Sequence, residues 1–194
     1  MPTDTDSRQA LLTAGQRTIA HKGWAAVGLN EILAESGVPR GSFYYYFKSK
    51  DVFGEAMMQE YFREYLADMD EIFGQQDVPA AERLLQYWRH WRETQSLDDC
   101  QGKCLAVKLG AEVSDLSESM RIALKDGTTG ITDRIAQMIS AGHADGSLSS
   151  EIEPARTAQM LYDLWLGASV MAKIHRTMDS VDNAYSITTR ILHS

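Results

Sequence analysis

Cysteine and proline are scarce in this chain, at two and four residues in 194. Cys100 and Cys104 are too few to form a disulfide framework, which fits a reducing cytoplasm. No apolar run approaches the roughly 18 residues that a membrane span requires. The opening MPTDTDSRQ is polar and acidic, which argues against a secretory signal. Sustained period-2 alternation is missing too, so strands are not expected. Motifs that carry chemistry are equally absent: there is no nucleophile elbow, HExxH, Cys/His metal spacing or glycine-rich phosphate loop. The five histidines (His21, His90, His143, His175 and His193) are scattered. No metal or cofactor is expected, and a helical enzyme is only a remote alternative.

Positive charge is also in short supply: 19 Lys and Arg face 27 Asp and Glu, for a net charge of −8. That fits a site-specific binder better than a general nucleic-acid coat, because the charge is unevenly placed. Residues 1–50 hold six basic residues (Arg8, Arg17, Lys22, Arg40, Lys48, Lys50) against four acids (Asp4, Asp6, Glu31, Glu35), a net of +2 that leaves −10 for the remainder. Three of the six fall between Arg40 and Lys50. With 44% hydrophobic residues the chain has enough apolar material for a folded core.

What is present almost throughout is apolar recurrence at three- and four-residue spacing, punctuated by Gly and Pro. This predicts an all-α chain of about nine helices. They run near Ser7–Lys22, Leu29–Ser36, Arg40–Phe47, Lys50–Phe73, Pro79–Thr94, Cys104–Val113, Ser117–Gly142, Pro154–Arg176 and Val181–Leu192. The first should bury Leu11, Leu12 and Ile19. The expected organisation is a DNA-binding head over residues 1–49 and a regulatory and dimerisation body over residues 50–194.

The stretch VGLNEILAESGVPRGSFYYYFKSK, Val27 to Lys50, reads as a helix-turn-helix. Ile32 and Leu33 should pack against the first helix, Gly37 supplies the positive φ of the turn, and Pro39 stiffens entry to the second helix. Phe43 and Phe47, four apart, share a core face. The plain alternative for FYYYF is an aromatic core stripe, but five consecutive aromatics on a helix cannot all face one core. Tyr44 and Tyr45 are then left to meet phosphates or thymine methyls, and Arg40 and Ser42 to read bases. Lys48 and Lys50 would meet backbone oxygens. Such a helix suits the major groove of double-stranded DNA.

GVPRGSFYYYFKSKDVF resembles the signature of the TetR family, in which a Gly-Val turn leads to a short helix ending in Tyr-x-Tyr/His-Phe-x-x-Lys. The likeness covers about residues 8–56. It implies DNA contacts from Arg40, Gly41, Ser42, Tyr44, Tyr45, Lys48 and Lys50. It also implies an all-helical homodimer that represses from a palindromic operator and is released by a small-molecule inducer. One departure is Gly28, where many relatives cap the second helix with Ser or Thr.

Two later segments, GKCLAVKLGAEVSDLSESMR (Gly102–Arg121) and LYDLWLGASVMAKI (Leu161–Ile174), resemble the electrophile-responsive NemR-type subgroup. The resemblance implies that a cysteine at the Cys104 position senses electrophiles or oxidants, and that a lysine at the Lys173 position is shared. The local chemistry agrees: Cys104 lies near an expected helix N-terminus, where the dipole favours a thiolate, with Lys103 and Lys108 nearby. The plain alternatives are a small buried hydrophobe for Cys104 and a lysine snorkelling to the surface for Lys173. An inert Cys104 would leave a repressor with a purely non-covalent inducer. Cys100 is a candidate resolving thiol. Trp88, Trp91, Tyr162 and Trp165 suit the lining of a ligand cavity, or are simply core. The last two helices carry long apolar faces (Met160, Leu161, Leu164, Gly167, Ala168, Met171; Ile187, Ile191), which suit packing against a second copy.

Overall fold

A computed structural model describes residues 4–100 and 104–193. Among the described residues every regular element is a helix: α1 (Asp4–Lys22), α2 (Leu29–Ser36), α3 (Arg40–Tyr46), α4 (Lys50–Phe73), α5 (Ala80–Cys100), α6 (Leu105–Leu116), α7 (Glu118–Asp145), α8 (Pro154–His175) and α9 (Asp179–Leu192). None of them is long and apolar enough to cross a membrane. Three helices outrun their expected ends, α6 by reaching Leu116 where Val113 was expected. α5 passes Thr94 because no Gly or Pro interrupts it before Cys100, and Gln95 turns inward and is buried. α7 passes Gly142, which is a close-packing position: an added Cβ there would lie 2.5 Å from Leu148 Cδ1. Gly146, at φ 74°, follows the helix end.

The chain divides into two compact units. The first takes Met1–Glu64 and Cys104–Thr128, so it gathers α1 to α3, most of α4, all of α6 and the start of α7. Leu11, Leu12 and Ile19 of α1 are buried, with Trp24, Val27, Ile32, Phe43, Phe47, Phe53 and Met57. Leu105, Leu109 and Val113 recur every four residues along α6 and are buried too, giving the helix one apolar stripe. Surface pairs between Arg17 and Glu35 and between Lys22 and Glu31 join α1 to α2. Exposed pairs of this kind contribute little, so the apolar contacts hold the unit together.

The second unit takes Tyr65–Lys103 and Thr129–Ser194. Its helix ends are capped across the chain as well as locally. Asp145, the last residue of α7, accepts from Ala80 N at 2.8 Å while Ser147 Oγ accepts from Ala81 N at 3.1 Å, satisfying two first-turn donors of α5. The Asp145 carboxyl is held below its usual range, first by a bond from the Ser147 hydroxyl and then by the backbone N–H groups of Ala80 and Ser147. Glu153 caps α8 through Ala155 N and Arg156 N, with Pro154 in the first turn. Arg134 grips Asp70 with two bonds of 2.6 and 2.9 Å, and Arg92 reaches Asp182 of α9 at 2.6 Å.

Gly127 lets α7 lie against α4 in the first unit, since a Cβ there would sit 2.1 Å from Phe62 Cγ, near the root of a buried ring that has little room to move. Gly127→Ala should therefore lose more to this clash than the about 1 kcal/mol of helix propensity it gains. A net destabilisation of about 1–3 kcal/mol is expected, read as a lower midpoint in chemical denaturation.

Candidate nucleic-acid interface and sensor segment

The helix-turn-helix is built from short pieces with defined ends. Gly28 caps α2 from an extended conformation with no side-chain bond, as a glycine must. Gly37 closes α2 in the left-handed region at φ 67°, and its N–H donates to Leu33 O at 3.0 Å. Pro39 leads into α3, its carbonyl accepting from Ser42 N and Phe43 N. Ser49 then starts α4, its hydroxyl accepting from Val52 N at 3.2 Å.

α3 separates its aromatics by face. Phe43 and Phe47 are buried, and both rings lie within 5.4 Å of the Phe53 ring on α4. Tyr44 and Tyr45 point outward, 50% and 74% exposed. FYYYF is thus part core and part outer surface. Arg40, Gly41 and Lys48 are exposed and Ser42 is half-buried. The Arg40 guanidinium donates to Asn30 Oδ1 at 3.2 Å and lies 5.8 Å from the centre of the Tyr44 ring, so two neighbours hold it.

Lys50 is placed differently from the other cations. It is half-buried, its ammonium donates to Trp24 O at 2.8 Å, and it stands 4.2 Å from the centre of the Trp24 ring. Burial pulls the ammonium below the usual lysine range, while the carboxylates of Glu112 and Asp51 oppose that shift.

Glu112, on α6, reaches the same turn. Its Oε2 accepts from Trp24 N at 3.0 Å and its Oε1 from Ala25 N at 2.8 Å. Lys108, one turn earlier on α6, donates to His21 O at 3.1 Å in the last turn of α1. Its ammonium is thus directed to a helix C-terminus, where a cation is favoured, and not to the cysteine four residues before it.

Cys104 is the N-cap residue of α6 and is half-buried. Next to it, Leu105 N donates to Tyr61 OH at 3.4 Å. Gly102, Lys103 and the side chain of Cys100 lie outside the described residues.

In the second unit Trp88, Trp91, Tyr162 and Trp165 do come together, with Trp88 stacked on Trp91 at 5.7 Å and on Trp165 at 4.9 Å. The Trp91 indole donates to Ser169 Oγ and the Trp165 indole to Thr188 Oγ1, whereas Trp88 Nε1, fully buried, has no partner among the described residues. Lys173 is half-buried in the last turn of α8. The apolar face expected for a partner needs correction. Leu161 and Ala168 are buried within the chain, because α8 turns that side to its own core, while Met160, Val170, Met171, Ile174 and Ile187 are the exposed ones. Among the described residues no three His, Cys, Asp or Glu converge on a metal-sized site.

Comparison with known proteins adds the family. Residues 11–57 match the bacterial regulatory proteins of the tetR family, and residues 80–188 match the tetracyclin repressor-like C-terminal domain. The chain belongs to the TetR family. It is 36% identical over 190 residues to the HTH-type transcriptional repressor NemR of Escherichia coli K12, covering 98% of this chain and 96% of that protein. The transcriptional regulator AcuR of Cereibacter sphaeroides is 31% identical over 178 residues, covering 92% and 81%. The crystal structure of E. coli NemR in its reduced form superposes with a TM-score of 0.91 at 37% identity, covering 96% of this chain and 97% of that one. The protein is accordingly a TetR-type DNA-binding transcriptional repressor with an all-helical fold.

Three residues that matter to this geometry carry no signal in the sequence. Asn30 is an ordinary polar residue on a helix surface until Arg40 is folded against it. Trp24 and Glu112 are 88 residues apart, and only the fold joins them.

Proposed function

We propose that this TetR-type repressor works in the cytoplasm as a homodimer on a palindromic operator, and that modification of Cys104 by a reactive electrophile or oxidant releases it. The observation that carries the reading is the place of Cys104: a half-buried thiol at the start of a twelve-residue helix that packs within the same compact unit as the helix-turn-helix. The helix dipole favours the thiolate, which is the reactive form. With an α,β-unsaturated carbonyl, the sulfur forms a bond to the β carbon. The alkene pair moves to the carbonyl oxygen as an enolate, and solvent supplies the proton. The likeness to the NemR repressor, solved in a reduced form, supports a redox-responsive protein of this kind.

In this reading residues 1–49 are the operator-binding head. Arg40 and Ser42 read base edges, Gly41 permits close approach of the backbone, and Tyr44, Tyr45 and Lys48 hold phosphates and sugars. Lys50 contributes from its half-buried position with the donors that Trp24 leaves over. Residues 50–194 form the regulatory and dimerisation body, with Lys173 a further candidate in its response. The second copy covers the exposed Met160, Val170, Met171, Ile174 and Ile187 of α8 and α9, where exposed Gly167 allows close helix approach. Release is a population shift, toward a spacing of the two recognition helices that no longer matches half-sites one turn, roughly 34 Å, apart.

A second reading has its own observation. The unpartnered Trp88 Nε1 in the stacked aromatic cluster suits a non-covalent inducer with a hydrogen-bond acceptor, lined by Trp88, Trp91, Tyr162 and Trp165, with Cys104 inert.

Cys104→Ser should keep operator affinity and lose release by electrophile, measured by fluorescence anisotropy on operator DNA. Release equal to that of the unsubstituted protein would sink the thiol mechanism and favour the second reading. Arg40→Ala should weaken operator binding by about 1–3 kcal/mol and relax discrimination at one base pair. Lys48→Ala should instead weaken binding to all sequences alike and lower the salt slope by about 1, the share of one phosphate that is no longer neutralised. Val170→Glu should shift the protein from dimer to monomer in sedimentation. An unchanged dimer would place the interface elsewhere.

A further inference from the structure

We propose that Glu112 is a positioning residue for operator binding, a clamp through which α6 holds the turn between α1 and α2 and so sets the helix-turn-helix. The clamp's role in release rests on the reading of Cys104 above. Its role in affinity does not.

The turn over residues 23–28 has few ways to satisfy its own backbone. Gly23 ends α1 at φ 90°, and the next two N–H groups, of Trp24 and Ala25, both point at one carboxylate, that of Glu112. Bonds from N–H groups to an ionised acceptor are among the stronger ones in proteins. At that φ any other side chain is strained, and a Cβ there would crowd Glu112 Oε2 at 3.0 Å. Lys108, one turn before Glu112, adds the bond to His21 O, so α6 holds both the last turn of α1 and the residues that follow it.

The same turn is gripped from its other side by the helix-turn-helix. Lys50, the first residue of α4, donates to the Trp24 carbonyl and covers its indole. Gly54 takes the indole edge so closely that a Cβ there would lie 2.5 Å from Trp24 Cη2 and 2.6 Å from Met120 Sδ. Trp24 is thus bonded at its N–H by α6 and at its C=O by α4. A displacement of α6 along or about its axis cannot spare the turn, and the turn is bonded to the residue that closes the recognition element. Cys104 precedes this helix by one residue and Glu112 lies about two turns further on, so an adduct at Cys104 and the clamp act on one short rigid rod.

The test compares reduced and alkylated full-length protein on operator DNA, using N-ethylmaleimide as the probe, for the unsubstituted chain, Glu112→Gln, Cys104→Ser and the control Asp115→Asn. The control removes an exposed carboxylate from the same helix without touching the turn. Reduced Glu112→Gln should bind operator about tenfold more weakly, with Asp115→Asn unchanged. Alkylation should weaken the unsubstituted protein by about 5–150-fold, the range of ordinary couplings, and Glu112→Gln by less than about threefold. Hydrogen exchange needs no variant. The amides of Trp24 and Ala25 should be protected in the reduced protein and exchange faster once Cys104 is alkylated, a change that a merely structural role would not produce.

Normal affinity and a normal alkylation response in Glu112→Gln would overturn the clamp, as would release with the two amides still protected. If alkylation releases Cys104→Ser as well as the unsubstituted chain, the cysteine reading fails alone. The weakened binding of reduced Glu112→Gln would then still support the clamp.

Discussion

A helix of seven residues has no stability of its own in water, because nucleation costs more than so few hydrogen bonds return. α3 is such a helix. It exists because Phe43 and Phe47 are buried and meet the Phe53 ring, so everything the recognition surface presents depends on that cluster of three rings. Burying two phenyl side chains is worth about 3–6 kcal/mol, enough to offset the ordering of a few residues. The cluster also fixes rotation. With Phe43 and Phe47 inward, Arg40, Tyr44 and Tyr45 have no choice but to face out.

Much of this is legible in the sequence because it is local. Gly37 announces a left-handed turn, Pro39 an N-terminus, and the four-residue spacing of Phe43 and Phe47 a shared face. Each of these signals lies within a few residues of its effect. Gly28 shows the same economy: it caps α2 without a side-chain bond. The neighbouring cations are harder to separate. Lys48 and Lys50 look alike in sequence, yet one is exposed and the other is turned onto Trp24, 26 residues away.

The later helices are readable in outline and not in facing. Leu161, Ala168, Met160 and Met171 all lie on one long apolar helix, and periodicity alone does not say which of them meets the chain's own core. The structure divides them by packing, burying the first two and leaving the methionines outside. The end of α5 lies beyond its expected place for a related reason. Glu93, Thr94, Gln95 and Ser96 look like a polar break, but Gln95 is an inward residue on a helix that simply continues. The bonds of Glu112 and Asp145 to distant backbone N–H groups lie beyond local reading altogether, since each joins segments more than 60 residues apart.

The four tryptophans are split between the units, Trp24 in one and Trp88, Trp91 and Trp165 in the other. The three indoles of the second unit have ring centres 4.9 to 5.8 Å apart, close enough to exchange excitation. Trp24, in the first unit, lies under the Lys50 ammonium with its backbone held by Glu112. Each unit therefore carries its own optical reporter. One follows the aromatic cluster of the second unit. The other follows the turn on which the DNA-reading element is mounted.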